Sequence, residues 1–265
     1  MSLFDVHEFA ASAHGSLRAE VPDAVVLDGE SARLVELLRA LEAATMAHLR
    51  NVLVTPTHKD ARVTAFLVSW AFEKFWIADA LGAVVGRGAS ADLPGTPGTA
   101  PASASQTSSS RTPGPLRRSI VGAVSGTAVV AAHMTQGLVD DTILDGAYEE
   151  LSSRAEALQP LTARIRSIKD RHTRFFGEEA RRRLAESGRA VRATLRTLRR
   201  EPQPIGSGAW GTEQRALFTR LVFDGAAGHE RRERIARVVA DLPGVGMDAA
   251  ARLVDDLTRN ADGRR

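Results

Sequence analysis

Charged side chains on otherwise apolar helical faces are the residues of this chain with the means to do chemistry. Counting about 100° per residue, Asp141 shares a stripe with Val130, Met134, Leu138, Asp145 and Tyr148. His172 shares another with Leu161, Ile165, Ile168 and Phe176, with Lys169 and Glu179 at its margins. Upstream, Glu73 points inward with Phe66, Trp70, Ile77, Leu81 and Val84, and Glu42 borders a stripe of Leu34, Leu38, Leu41, Thr45, Leu49 and Val52. Carboxylates, lysines and an imidazole in a low-dielectric centre suit two chemistries: a site for hard cations, or a set of ion pairs. The chain has no cysteine, so any metal needs His, Asp or Glu ligands. Glu73, Asp141, Asp145 and His172 form the set for a single ion, iron or manganese.

The elements that must position these residues are helices. The first runs from about Ser31 to Val54. Thr57 and Asp60 in the following turn are suited to capping the second, at about Lys59 to Val85. Residues 86–119 are rich in Gly, Pro, Ser, Thr and Ala, too poor in apolar surface to offset their ordering entropy, and are expected to be a disordered crossover loop. A second helix pair starts near Ile120, with Pro160 opening the helix that carries His172. Beyond a break at EPQPIGSG, shorter helices are expected at Thr212 to Phe223, His229 to Asp241 and Met247 to Asn260. No strand-period alternation of any length occurs. The predicted fold is therefore all-α: an N-terminal segment (1–30), a four-helix bundle with a long crossover (31–200) and accessory C-terminal helices (201–265).

The segment WAFEKFWIADAL, from Trp70 to Leu81, resembles the second-helix signature of ferritin-like di-iron carboxylate proteins related to the acyl-carrier-protein desaturases. Asp141, seven residues before Tyr148, is similar to their third-helix carboxylate, and IRSIKDRHTRFF resembles their fourth helix. Laid on this chain, the family pattern makes Glu42 the first-helix carboxylate. It puts Lys74 and Ile77 where a ligand Glu and His belong, and Lys169 in place of the fourth-helix Glu, while His172 remains. No Glu-x-x-His occurs anywhere in the 265 residues. The resemblance thus implies a degenerate centre of Glu42, Glu73, Lys74, Ile77, Asp141, Lys169 and His172, with no metal and two lysines neutralising crowded carboxylates. The family's substrate channel implies an apolar pocket lined by Phe66, Trp70, Phe72, Phe75 and Trp76, although helix packing explains those aromatics equally well.

Other motifs carry less. DDTILD, Asp140 to Asp145, matches the magnesium motif of prenyl-diphosphate enzymes, but no second such motif follows, and Asp140 projects about a quarter turn from Asp141. ARVVADLPGVGMDAAARLV resembles a helix-hairpin-helix element, in which Gly244, Val245 and Gly246 offer backbone N–H groups to a phosphate. Met247 and Asp248 bring no cation there, which favours an ordinary turn. Arg181, Arg182, Arg183, Arg189, Arg192, Arg196, Arg199 and Arg200 are expected to form a solvated extension paired with acidic neighbours. The net charge is only +3.

Ile120 to Val139 is apolar but holds Ser125, Thr127, His133, Thr135 and Gln136, which favours a buried helix over a membrane span. The N-terminus lacks the pattern of a secretory signal, and a cytoplasmic protein is expected. The favoured function is a non-catalytic role in binding or assembly without a cofactor, toward an apolar small molecule or a protein, a second copy included. The alternatives are an iron-dependent oxidoreductase with an altered ligand set, and a nucleic-acid-binding protein using the hairpin and the arginines.

Overall fold

Helix starts are fixed locally by side chains that satisfy the first free N–H groups. In a computed structural model describing residues 3–88, 115–200 and 203–259, Asp28 accepts a hydrogen bond from Ser31 N at 2.7 Å and opens helix α2, Gly29–Leu53. Asp60 does the same for α3, Ala61–Gly88, accepting from Val63 N at 3.0 Å. The connection between them is a short 3-10 turn, Pro56–Lys59, so α2 and α3 pack as a hairpin. A second hairpin joins α4, Pro115–Arg154, to α5, Gln159–Glu186, through another 3-10 turn, with Pro160 in the first turn of α5. Before these hairpins lies α1, Val6–Ala11. After them come α6, Gly188–Arg200; α7, Thr212–Phe223; α8, Gly225–Ala240; and α9, Met247–Arg259. Every regular element among the described residues is helical, and no described helix is long and apolar enough to cross a membrane.

The predicted stripes of α2, α3 and α5 are buried as expected, because each of these helices turns one face to solvent and the other to the core. Helix α4 differs. It packs against α2, α5, α6, α7 and α8, so residues on all its sides, including Ala131, Thr135, Val139 and Ile143, are buried. A helix enclosed all round has no solvent face on which to leave a polar residue. At Gly137 an added Cβ would overlap the Phe176 ring, so the close passage of α4 over α5 requires glycine there.

Three boundaries depart from expectation. Residues 86–88 and 115–119 belong to helices α3 and α4, which shortens the predicted loop from both ends, while 89–114 lie outside the described residues. The N-terminal segment forms α1, whose Phe9, with Phe4 just before it, enters the core against Phe66 and Phe175. The C-terminal helices share the same core: Arg231 is buried, donating to Val222 O at 3.0 Å and pairing with Glu150 at 2.8 Å, and Gly206 sits against Ala44.

Candidate functional site

All four long helices send charged residues to one buried centre. Glu42 comes from α2, Glu73 and Lys74 from α3, Asp140 and Asp141 from α4, and Lys169 and His172 from α5; none is more than 1% exposed. Lys74 Nζ lies 3.0 Å from Asp140 Oδ2, 3.1 Å from Glu42 Oε2 and 3.8 Å from Asp141 Oδ1. Lys169 Nζ lies 2.8 Å from Asp141 Oδ1 and 3.0 Å from Glu42 Oε1. Glu42 and Asp141 are thus shared by both ammonium groups. Tyr148 donates its hydroxyl to Glu42 Oε1 at 2.8 Å, and Ile205 N, from the segment before α7, donates to Asp140 Oδ1 at 2.7 Å.

A second carboxylate group adjoins the first. His172 Nε2 is 2.6 Å from Glu73 Oε2, and the other ring nitrogen faces Asp141 Oδ2 at 3.8 Å, beyond hydrogen-bond range. Glu73 Oε1 also accepts from His14 N at 2.8 Å, and His14 Nδ1 lies 3.0 Å away. Arg171 approaches the same oxygen at 3.7 Å. The N-terminal segment therefore caps the centre on the side of α3 and α5.

Three carboxylates face two lysines around Nζ, and the ionisation behaviour follows from that imbalance. Burial favours the neutral form of Glu42 and Asp141, but the lysine charges outweigh it and hold both carboxyls below their usual range. Asp140 is the odd charge: burial, joined by the Asp141 charge, raises its carboxyl despite Lys74. Lys74 feels the opposite balance, since burial lowers an ammonium but Asp140, Glu42 and Asp141 together push it well above its ordinary value. Burial and the Glu42 charge likewise raise the Tyr148 phenol well above its normal range. A nucleophilic or basic lysine needs a lowered pKa. This centre does the reverse, fixing Lys74 as a cation and Tyr148 as a neutral donor.

The residues present do not fit a dinuclear metal centre. The two Nζ atoms stand between the carboxylates at ion-pair distance, and Ile77, buried, presents hydrocarbon where the resembled family has a histidine. The four residues predicted to hold a single ion do not converge either. Asp145 lies at the rim and pairs with Arg166 at 2.6 Å, while Glu73 and Asp141 face opposite nitrogens of His172. Among the described residues no group of three or more His, Asp or Glu side chains is arranged to hold a metal ion.

Other predicted sites are also redistributed. Phe66 and Trp70 are core residues, but Phe72 and Phe75 are about half exposed, on the outer side of α3 beside Trp76. The five aromatics diverge around α3 and do not line one pocket, because positions 72 and 75 are rotated away from 66 and 70. In the α8–α9 turn, Gly244 faces Val191 of α6, and Val245 is mostly buried and bonds Leu242 O at 3.1 Å; only Gly246 is open. Glu179, expected at a margin, is fully buried and pairs with Arg62, Arg182 and Arg183.

Asp140 and His14 are the participants that sequence reasoning misses. Apolar residues on every side of α4 are the signal that two adjacent carboxylates could both be enclosed. His14 carries no such signal, since its contact depends on how the N-terminal segment docks. His48 and His133 are a further, half-buried pair: loss of solvent holds both at about 4, helped for His48 by the neighbouring His133, and Thr57 Oγ1 lies 2.9 Å from His133 Nδ1. Comparison of the chain with protein-family models, with curated proteins and with solved structures finds no match.

Proposed function

We propose that this chain is a non-catalytic helical protein, ferritin-like in plan, that acts by binding or assembly and whose centre is held by lysine–carboxylate pairs where the resembled family holds metals. The observation that carries this reading is the position of Lys74 and Lys169, whose ammonium groups share Glu42 and Asp141 in a fully buried network. Both lysines stand at positions that the family pattern gives to ligand carboxylates. The cluster joins four helices, so its role is to set their register and specificity.

A surface for a partner is supported by the outer face of α3. Val68, Phe72 and Phe75 are each about half exposed, and with Trp76 they form an apolar stripe at helical spacing. A protein partner, a second copy included, suits that stripe better than a small molecule, because a convex helix face encloses nothing. Adding excess ferrous iron or manganese tests the non-catalytic reading. The unfolding midpoint is expected to move by less than about 1 °C, since only a ligand that binds the folded state stabilises it. A rise of several degrees, with iron-dependent oxygen consumption, would favour the oxidoreductase alternative.

A further inference from the structure

Seven of the eight arginines between Glu178 and Glu201 divide into two groups; the eighth, Arg181, is exposed on α5 with its guanidinium beside Gly177. On α5, Arg182 pairs with Glu179 at 2.7 Å and with Glu186 at 3.4 Å, and Arg183 pairs with Glu179 and Asp60 inside the fold. The five on α6 behave differently. Arg189, Arg192, Arg196, Arg199 and Arg200 are all exposed, and among the described residues no carboxylate pairs with any of them. They fall within an arc of about 100° and extend along roughly 15 Å of helix. Four of them, with Leu195, border an open cavity of about 400 Å³.

The rest of α6 is committed to the fold. Ala190, Thr194 and Leu198 are buried, and the α8–α9 turn closes one flank, with the Cβ position of Gly244 2.9 Å from a Val191 methyl. Gly246, whose φ is 74°, stays open in the same turn. Five like charges held side by side on a rigid helix repel one another, an arrangement with no value to stability. It is of value to a polyanion.

We propose that α6 is a docking surface for the phosphate backbone of a nucleic-acid duplex. Guanidinium forks match phosphate oxygens. A stripe of roughly 15 Å covers about four phosphates of one strand, at about 3.4 Å of axial rise each. Helix α6 has no aromatic residue on which an unpaired base could stack, which favours a duplex over a single strand. Its apolar residues are buried or half-buried, leaving no face to insert into a lipid surface. Contacts of this kind read no bases, so binding is indifferent to sequence. The surface is separate from the buried centre, and the inference stands whether or not that centre is metal-free.

The test is binding of the full-length protein to a short labelled duplex across a salt series, beside a single strand and anionic-lipid vesicles. The log of the association constant is expected to fall against log salt with a slope of about −4, from about 0.9 per phosphate contact. Arg192→Glu with Arg196→Glu is expected to weaken binding at least tenfold at low salt and to reduce the slope by about 2, while Arg39→Glu with Arg50→Glu, an equal charge change on the exposed surface of α2, changes it less than twofold. Thermal unfolding shows whether the variants remain folded; if the double change does not, Arg196→Gln alone is expected to reduce the slope by about 1. No duplex binding at low salt, a slope near zero, indifference to these substitutions, or tighter binding to vesicles or to the single strand would each overturn the proposal.

Discussion

Removing the ammonium group of Lys169 should expose how strongly the centre depends on its cations. Lys169 Nζ touches Asp141 at 2.8 Å and Glu42 at 3.0 Å, and it is buried. In Lys169→Met, Glu42 keeps Lys74 and the Tyr148 hydroxyl, but Asp141 keeps only Lys74, at 3.8 Å, and a distant His172 nitrogen. One buried carboxylate then lacks close compensation, a loss of about 3–5 kcal/mol. Whole-protein stability is typically about 5–15 kcal/mol, so the change is a large fraction of the total. It corresponds to a fall in midpoint of roughly 10 °C for a chain of this size. Adding Asp141→Leu removes the stranded charge and leaves Glu42 and Asp140 with Lys74, so the double variant should recover more than half of the loss. Denaturant unfolding followed by tryptophan fluorescence is a suitable assay, since Lys74 Nζ lies 5.0 Å from the Trp70 ring. A loss below about 1 kcal/mol for Lys169→Met, the range of ordinary surface changes, or a double variant no better than the single, would refute the ion-pair reasoning.

Four further outcomes follow from the structure. His48 and His133, each held at about 4 against an ordinary 6.5, are neutral in the fold. The unfolded chain therefore binds more protons between those values, and stability is full above pH 6.5 and falls toward pH 4, by at most about 3 kcal/mol per histidine; a midpoint unchanged between pH 7 and pH 5 would contradict this. The lowered Glu42 and Asp141 carboxyls add stability that is present above their unfolded values of 4.5 and 3.8 and is lost at still lower pH. Gly137→Ala, which sets a methyl against the Phe176 ring, should cost about 1–3 kcal/mol in denaturant unfolding, and a neutral effect would show that α4 and α5 are not so closely packed. Phe72→Ser with Phe75→Ser should leave the unfolding midpoint nearly unchanged yet weaken self-association measured by sedimentation; a wild-type chain that stays monomeric at all concentrations would remove that stripe as a self-docking surface.

Helical periodicity made much of this arrangement legible. The inward phases of Glu73, Asp141 and His172 follow from counting residues along amphipathic helices, and Lys74 and Lys169 stood out against the family pattern. Counting fails where a helix has no solvent face. Asp145 shares the stripe of Asp141 one turn further along and Asp140 lies about a quarter turn off it, yet Asp140 is enclosed while Asp145 reaches Arg166 at the rim. What decides between them is the C-terminal segment, whose Ile205 N bonds Asp140 across 65 residues of sequence. The pocket expected from Phe66, Trp70, Phe72, Phe75 and Trp76 shows the converse. Aromatic content alone does not distinguish core from surface, and the phase of Phe72 and Phe75 already turned them away from Glu73.

Elemental analysis of protein purified aerobically without a metal-binding tag tests the central claim most directly. With Lys74 and Lys169 between the carboxylates and the apolar Ile77 buried beside them on α3, fewer than about one iron, manganese or zinc per ten chains is expected, because such ions require several converging oxygen and nitrogen ligands. Near-stoichiometric metal, lost when Glu73, Asp141 or His172 is replaced, would contradict it.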